Sequence, residues 1–306
     1  RNYFAVLSFQ QQFNFDGDRT DRQVATGLFS QLRNFWQFNV FTILALDSYD
    51  DAATRGGPVI KRRGYSYNQL FVGTDARKKI SVSTNPNYLI RHKGDPQYNL
   101  SATVTYKPTA GIQLSAGPSY GRIPGLAQFV TSGDDSTATN FYGRRYIFAE
   151  IDQKQLSMTT RANIVFSPTL TLEAFAQPLI ASGSYKTFRE FTNPREPTFN
   201  DFRPGIELTS TDVNGARRYT VDADGPGTRA QPISFFDPNF NFRSLRGSAV
   251  MRWEYRPGST VYLVWQQNRA NSESIGDFRF SRDRAALFDA HPDNIFLIKA
   301  SYWLAF

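Results

Sequence analysis

The chain contains no cysteine, only two histidines and two methionines, and no apolar run long enough to cross a bilayer as a helix. Without cysteine there is no disulfide, no thiol nucleophile and no thiolate metal ligand. Without an apolar stretch of about eighteen residues, membrane passage by helices is excluded. The mean hydropathy of -0.45 does not argue against a membrane. A spanning strand alternates lipid-facing and water-facing residues, so its average matches that of a soluble protein. A block of one charge sign is also missing. Lys and Arg total 35 against 27 Asp and Glu, a formal charge of +8, but the arginines are scattered along the 306 residues. That spread disfavours nucleic acid, which calls for a clustered basic face. It suits arginines lining a lumen or meeting anionic lipid headgroups. The chain opens on Arg1 with no signal-like segment, as expected of a processed chain or a fragment.

Aromatic residues are plentiful, at 15% with 27 Phe and 15 Tyr, and many fall in segments of period two. From Arg243 to Arg256, Leu245, Gly247, Ala249, Met251, Trp253 and Tyr255 alternate with Ser244, Arg246, Ser248, Arg252, Glu254 and Arg256. A dry core would not accept the second set, whereas a water-filled lumen would. Tyr98, Leu100, Ala102, Val104 and Tyr106 oppose Asn99, Ser101, Thr103 and Thr105 in the same way. Ile112, Leu114 and Ala116 oppose Gln113 and Ser115, and Val261, Leu263 and Trp265 oppose Thr260 and Gln266. Trp36, Phe38, Val40, Leu44 and Leu46 form a less pure stripe, because Phe41 and Ile43 occupy the other side. In the last segment, Phe296, Ile298, Ala300, Tyr302, Leu304 and Phe306 share one face.

Tight turns are predicted at Tyr106-Lys107-Pro108, Phe166-Ser167-Pro168 and Tyr255-Arg256-Pro257-Gly258, where an aromatic ends a strand and proline starts the turn. Long polar connections span Asp47 to Gly64, Gly183 to Asn241 and Ala270 to Asp293. Placing the C-terminus in the periplasm and counting backward makes the proline turns periplasmic, with further short turns at Ala76 to Lys79 and Leu32 to Phe35. The long connections, Phe15 to Asp21 and His92 to Pro96 then become extracellular, provided that Arg144 to Ser167 is one strand. The fold expected is all-β: a transmembrane antiparallel up-and-down β-barrel of about 12 or more strands, with short periplasmic turns and long extracellular loops. It occupies residues 1–306 as a single unit. A propeller would need a repeat of about forty residues, and none is visible.

The ending Tyr302-Trp303-Leu304-Ala305-Phe306 resembles the C-terminal signal by which outer-membrane barrels are recognised for insertion, with Tyr302, Leu304 and Phe306 as its alternating positions. Several further stretches carry a resemblance: Thr54-Arg55-Gly56-Gly57-Pro58, Arg145 to Gln153, Leu170 to Pro178, Leu245-Arg246-Gly247 and Trp253 to Ser259. Together with the closing strand they resemble the C-terminal barrel region of an uncharacterised outer-membrane family, labelled as carbohydrate-binding family-nine-domain-containing proteins. In that family a sugar-binding-like β-sandwich and further barrel strands precede the region similar to this chain. Neither is visible here, so the resemblance assigns a lectin-like role to no residue. It implies a fold and a compartment, the bacterial outer membrane. It also implies the partners of such barrels: outer-membrane lipid and lipopolysaccharide, the barrel-assembly machinery, and other outer-membrane or surface proteins.

Few residues suggest chemistry. His291, in Asp289-Ala290-His291-Pro292-Asp293, has the flanking carboxylates of a general base, yet no nucleophile motif accompanies it. His92 sits at a hairpin tip, in Arg91-His92-Lys93-Gly94-Asp95. Both read as solvated loops, and the expectation is no catalytic residue, no cofactor and no enzyme. Asp50-Asp51, Asp134-Asp135 and Asp222 with Asp224 lack the ligand spacing of a calcium loop; no metal is assigned. Gly225-Pro226-Gly227 reads as a turn. Arg55 with Lys61, Arg62 and Arg63 forms an outer-loop basic group, either binding lipopolysaccharide phosphates, folding inward as a constriction, or simply solvated. Arg161, Arg246, Arg252, Glu254 and Arg256 fall on the lumen face, where charged side chains either set pore selectivity or pair to stiffen the wall. Two functions stay open: a pore or solute- and glycan-uptake barrel, and an anchoring barrel that docks partners through its extracellular loops.

Overall fold

A computed structural model of the chain describes residues 2–225, 227 and 229–304. The strands appear where the period-two segments lie. They are β1 (Asn2–Phe13), β2 (Arg19–Gln31), β3 (Gln37–Ala45), β4 (Ser48–Asp50), β5 (Ile60–Arg62), β6 (Tyr65–Gly73), β7 (Ile80–Thr84), β8 (Asn87–Arg91), β9 (Gln97–Tyr106) and β10 (Ile112–Asp134). The second half holds β11 (Arg144–Ser167), β12 (Leu170–Phe191), β13 (Phe199–Asp201), β14 (Leu208–Val213), β15 (Ala216–Val221), β16 (Ile233–Phe236), β17 (Phe240–Arg256), β18 (Ser259–Glu273), helix α1 (Phe280–Asp289) and β19 (Asp293–Ser301). Arg144 to Ser167 is one strand, as the alternation requires.

One large antiparallel sheet contains the order β1-β2-β3-β6-β7-β9-β10-β11-β12-β17-β18-β19, twelve strands in which each neighbour is the next long strand of the chain. β7 and β8 act as one strand interrupted at Pro86, since both lie between β6 and β9. Proline lacks the N–H that the ladder would use. The break is bridged by Leu70 N–H donating to the Pro86 carbonyl at 3.0 Å and Asn85 N–H donating to Ser101 at 3.0 Å. β4–β5 forms a separate hairpin, and β14–β15–β16 a separate three-stranded sheet.

Paired residues across a ladder share a face, so the register carries each strand's alternation across the sheet. Tyr106, Leu114, Ala162, Ala174, Ala249, Trp265 and Phe296 form one continuous row. The adjacent row on the opposite face reads Thr105, Ser115, Arg161, Phe175, Ser248, Gln266 and Ile295. The apolar face leaves large side chains exposed, among them Val40, Leu100, Val104, Trp253, Leu263 and Phe296. Where polar groups interrupt it they satisfy one another: the Thr42 hydroxyl donates to Asn68 at 3.1 Å, and Asn68 donates to Ser66 at 3.1 Å.

The two ends of the sheet differ. At one end the turns are short. Gly258 sits at φ 75° in the β17–β18 turn, and a Cβ there would stand 3.0 Å from Trp303, so glycine is required. In the β6–β7 turn the Asp75 carboxylate takes a fork from Arg77 at 2.9 and 2.8 Å, and Arg77 lies over the Phe35 ring of the β2–β3 turn. At the other end two connections start later than the polar composition predicted. β12 runs on to Phe191 and β18 to Glu273, because β11 pairs β12 as far as Arg189, β13 pairs Arg189 to Phe191, and Glu273 keeps its ladder partner Asn241. The second of these connections is also not loop alone, since it carries α1.

Polar contacts dock α1 on the sheet. Arg243 and Asp283 are each 0% exposed. Arg243 donates to Asp283 at 3.0 Å, to Glu273 at 2.8 Å and to Asn271 at 2.7 Å. Asp283 also accepts the Arg279 backbone N–H at 2.8 Å and Arg282 Nε at 2.8 Å, which satisfies a donor at the helix start. Leu287 is the apolar side chain buried beneath the helix.

Two outcomes follow. Arg243→Ala removes the buried cation shared by Glu273 and Asp283 and is expected to raise hydrogen exchange of the α1 amides on the order of a hundredfold, equivalent to about 3 kcal/mol, with the β10–β11–β12 amides unchanged. Uniform change across the sheet would refute α1 as a separately held element. Hydrogen bonds from Arg77 hold Asp75 down at about 2, against an ordinary value of 3.8. A depressed carboxylate contributes stability that is complete above its unfolded value and is lost as pH falls through its folded one. Unfolding midpoints should therefore drop between about pH 4 and about pH 2, and Asp75→Asn should flatten that drop.

Candidate functional site

At the long-loop end the sheet rises unevenly. β9 starts at Gln97, opposite Leu89, and its pairing with β10 ends at Arg122, while β10, β11 and β12 run on to Asp134, Arg144 and Phe191. Beyond Arg122 the β10 edge is free of β9, and arginines take its carbonyls. Arg91 donates to Pro124 at 3.3 Å and Arg189 to Leu126 at 3.1 Å. Ion pairs hold the raised ends. Arg145 bridges Asp135 at 2.8 Å and Glu190 at 2.5 Å, and Arg189 bridges Asp201 and Glu150, both at 2.8 Å. Burial alone would raise the Asp135 carboxyl, but hydrogen bonds from Thr137 and Arg145 outweigh it and hold the group below its usual range.

The 47–64 connection packs against these raised ends. Its β4–β5 hairpin buries Ile60 in a cluster with Phe148, Phe191, Tyr146 and Phe141. Gly57 lies so close to Tyr146 that a Cβ would meet its hydroxyl at 2.1 Å. Arg55, at φ 54°, sits over the Phe129 ring at 4.4 Å. The Lys61 N–H donates to the Pro194 carbonyl at 2.8 Å. Arg195 in turn pairs with Asp18 of the β1–β2 connection, so three connections are clasped together.

This packing forms a half-open cavity of about 510 Å³. Lys61, Arg62, Arg63, Arg91 and Lys93 all line it, with His92 beside them. Arg62 alone of the five cations reaches a carboxylate among the described residues, Asp50 at 4.0 Å. Arg63 Nε has no hydrogen-bond partner, and Arg91 bonds only to neutral oxygens, of Pro124 and of Gln97 at 3.2 Å. Most of the remaining lining is apolar, with Ile60, Ile123, Leu126, Phe148, Phe191 and Phe199 beside Gln128 and Gln153.

The basic group predicted in the 47–64 connection is thus divided. Lys61, Arg62 and Arg63 line the cavity, while Arg55 stacks on Phe129. The alternation of charge along the sequence gave no sign that Arg91 and Lys93 join them. They do so because Tyr65, two residues after Arg63, pairs with Arg91 in register.

The candidates of the polar face are spread along it. Arg161 stacks over Phe175 at 5.3 Å, Arg246 stands between Gln177 and Asn268 in register, and Arg252 bonds Glu254 at 3.1 Å. A register shift after Glu254 turns Arg256 toward the Tyr302 hydroxyl. Tyr302 and Leu304 are exposed, and Phe306 lies outside the described residues. His291 is exposed, 3.9 Å from Asp293. Asp134 pairs with Arg144 at 3.1 Å, and Asp224 accepts the Ala230 N–H at 3.3 Å. Among the described residues no three metal-ligating side chains come together. Pro226 of the Gly225–Gly227 turn is outside them.

Comparison with known proteins adds a family of undefined role. A family model described as a domain of unknown function (DUF5916) matches residues 208–306, from β14 to the end of the chain. The chain is therefore similar, over its last third, to an uncharacterised domain family. No curated protein matches. Among solved structures, "NanC porin structure in rhombohedral crystal form" is similar at 9% identity, covering 98% of this chain and 99% of that one, with a TM-score of 0.25.

Gly57→Ala should loosen the connection that closes the cavity. The expected result is trypsin cleavage after Lys61, Arg62 or Arg63 at least about tenfold faster than in the parent chain, with the β10–β12 segment still resistant. Unchanged cleavage would show that the Tyr146 contact does not hold this connection.

Proposed function

We infer that the large sheet is the wall of a β-barrel in a bacterial outer membrane, with its polar face toward a lumen through which small solutes pass. One observation carries this reading: an apolar row, exposed at Tyr106, Leu114, Trp265 and Phe296, and a mostly polar, arginine-bearing row run on opposite faces across six consecutive ladders. A soluble sheet would hide the apolar row, and a lipid-facing wall has no need to. The short-turn and long-connection ends then correspond to periplasm and exterior. The reading requires partners for the outer edges of β1 and β19, which are unpaired with one another among the described residues. Each unsatisfied backbone group in hydrocarbon costs several kcal/mol, so no edge can face lipid. The resemblance to carbohydrate-binding family-nine-domain proteins belongs to the same proposal, as do lipopolysaccharide and the assembly machinery as partners. No catalytic role is proposed.

A second reading, an anchoring barrel, is favoured by the separate β14–β15–β16 sheet, whose first strand is largely exposed and offers a docking edge.

Because the chain has no cysteine, single cysteine reporters are unambiguous. In outer-membrane vesicles, Leu100→Cys and Leu263→Cys should resist a water-soluble maleimide, while Thr103→Cys and Ser248→Cys should react. The reverse pattern would sink the wall assignment. Stepwise conductance in planar bilayers is expected for a pore; a silent but correctly labelled protein would favour the anchor.

A further inference from the structure

We propose that the cavity between the 47–64 connection and the raised ends of β10–β12 is a binding site for a soluble organic anion: a small molecule carrying a phosphate or carboxylate on an apolar body. Cations and apolar side chains line the same cavity. Arg62 and Arg63 come from the 47–64 connection, Arg91 from the end of β8 and Lys93 from the β8–β9 turn, whereas Leu126, Phe148 and Phe199 come from β10, β11 and β13. The volume of about 510 Å³ is that of a small-ligand site.

Two features separate this group from an ordinary solvated basic loop. Elsewhere at this end arginines are matched by carboxylates at 2.5–3.1 Å, as Arg122, Arg144, Arg145 and Arg189 are. Around the cavity, five cations share one carboxylate at 4.0 Å. Arg91 is moreover fixed in place by two neutral acceptors, so its guanidinium is oriented without being neutralised. Arg63 and Arg91 are half-buried while Arg62 and Lys93 are exposed; like charges gathered around part-buried guanidinium groups repel one another, and a bound anion relieves that repulsion. Arginine forks match phosphate and carboxylate geometry, which sets the ligand's charged end.

The position distinguishes a solute from a lipid headgroup. Leu89 pairs with Gln97, and Asn87 with Asn99, which accepts from Ser119 at 3.2 Å. Arg91 is therefore on the polar face, away from the row that carries Leu100 and Val104. On the wall reading, which this assignment of source rests on, the site opens toward the lumen mouth.

The test uses the full chain in neutral detergent micelles, with binding followed by calorimetry. Phenyl phosphate is the probe, with inorganic phosphate, benzyl alcohol and vesicles containing an anionic lipid as comparisons. Phenyl phosphate should bind in a salt-sensitive manner, inorganic phosphate more weakly, and benzyl alcohol not at all. Arg62→Gln and Arg91→Gln should each weaken phenyl phosphate roughly ten- to a hundredfold, whereas Arg55→Gln, engaged with Phe129, should not. Resistance of β10–β12 to trypsin shows that each variant is folded. Equal binding by the Arg62 and Arg91 variants, or binding of benzyl alcohol as strong as that of phenyl phosphate, would overturn the site. Stronger competition by the anionic vesicles than by inorganic phosphate would overturn the choice of a soluble ligand. Failure of the wall reading appears separately, as a reversed cysteine-labelling pattern with phenyl phosphate still bound.

Discussion

Side chains along a strand alternate, so a slip of one residue between β11 and β12 would carry Arg161 onto the face of Trp265 and bury nothing in exchange. Register is therefore the constraint on which every other feature rests. The long ladders state it redundantly: β10–β11 and β11–β12 each continue over some twenty residues with few shifts. β11–β12 shifts at the short-turn end after Val165, and the remaining shifts, after Gly125, Phe129 and Ala149, fall where the strands have risen past β9. There the alternation no longer has to serve one face of each kind, and both faces are covered, by Ile60 and its cluster on one side and by Val221, Ile233 and Phe202 on the other.

Charge does at the long-loop end what apolar contact does elsewhere. Arg145, Arg189 and Arg243 each stand between two carboxylates with little exposure of their own. A buried pair adds little net stability over an apolar one but is costly to break, so it selects one arrangement over its alternatives. The raised ends of β10–β12 and helix α1 are thereby fixed, and the 47–64 connection packs on those raised ends to form the cavity with its unmatched cations.

Much of the sheet was legible from alternation and proline. Arg144–Ser167 as one strand, the turn at Pro168 and the His92–Pro96 connection all lie where the pattern puts them. Helix α1 was not legible, because Leu287 is its one buried apolar residue and its attachment is by Arg243 and Asp283, forty residues apart. The site was half legible. Lys61, Arg62 and Arg63 announce themselves as consecutive charges, whereas Arg91 and Lys93 look like any hairpin tip until the Tyr65–Arg91 pairing brings them opposite. That pairing runs through strands interrupted at Pro86, which local pattern alone cannot align.

The clasp between Asp18 and Arg195 joins residues 177 positions apart, and six strands of the finished sheet, β3, β6, β7, β9, β10 and β11, lie between β2 and β12. Closing so long a loop directly in an unfolded chain costs more entropy than closing any hairpin of the wall, since the cost grows with the logarithm of loop length. Once β2 to β12 are paired in order, both residues are tied to one end of a single sheet and most of that entropy has already been lost. The clasp is thus a check on completed assembly: it closes at low cost only after the sheet beneath it is in place.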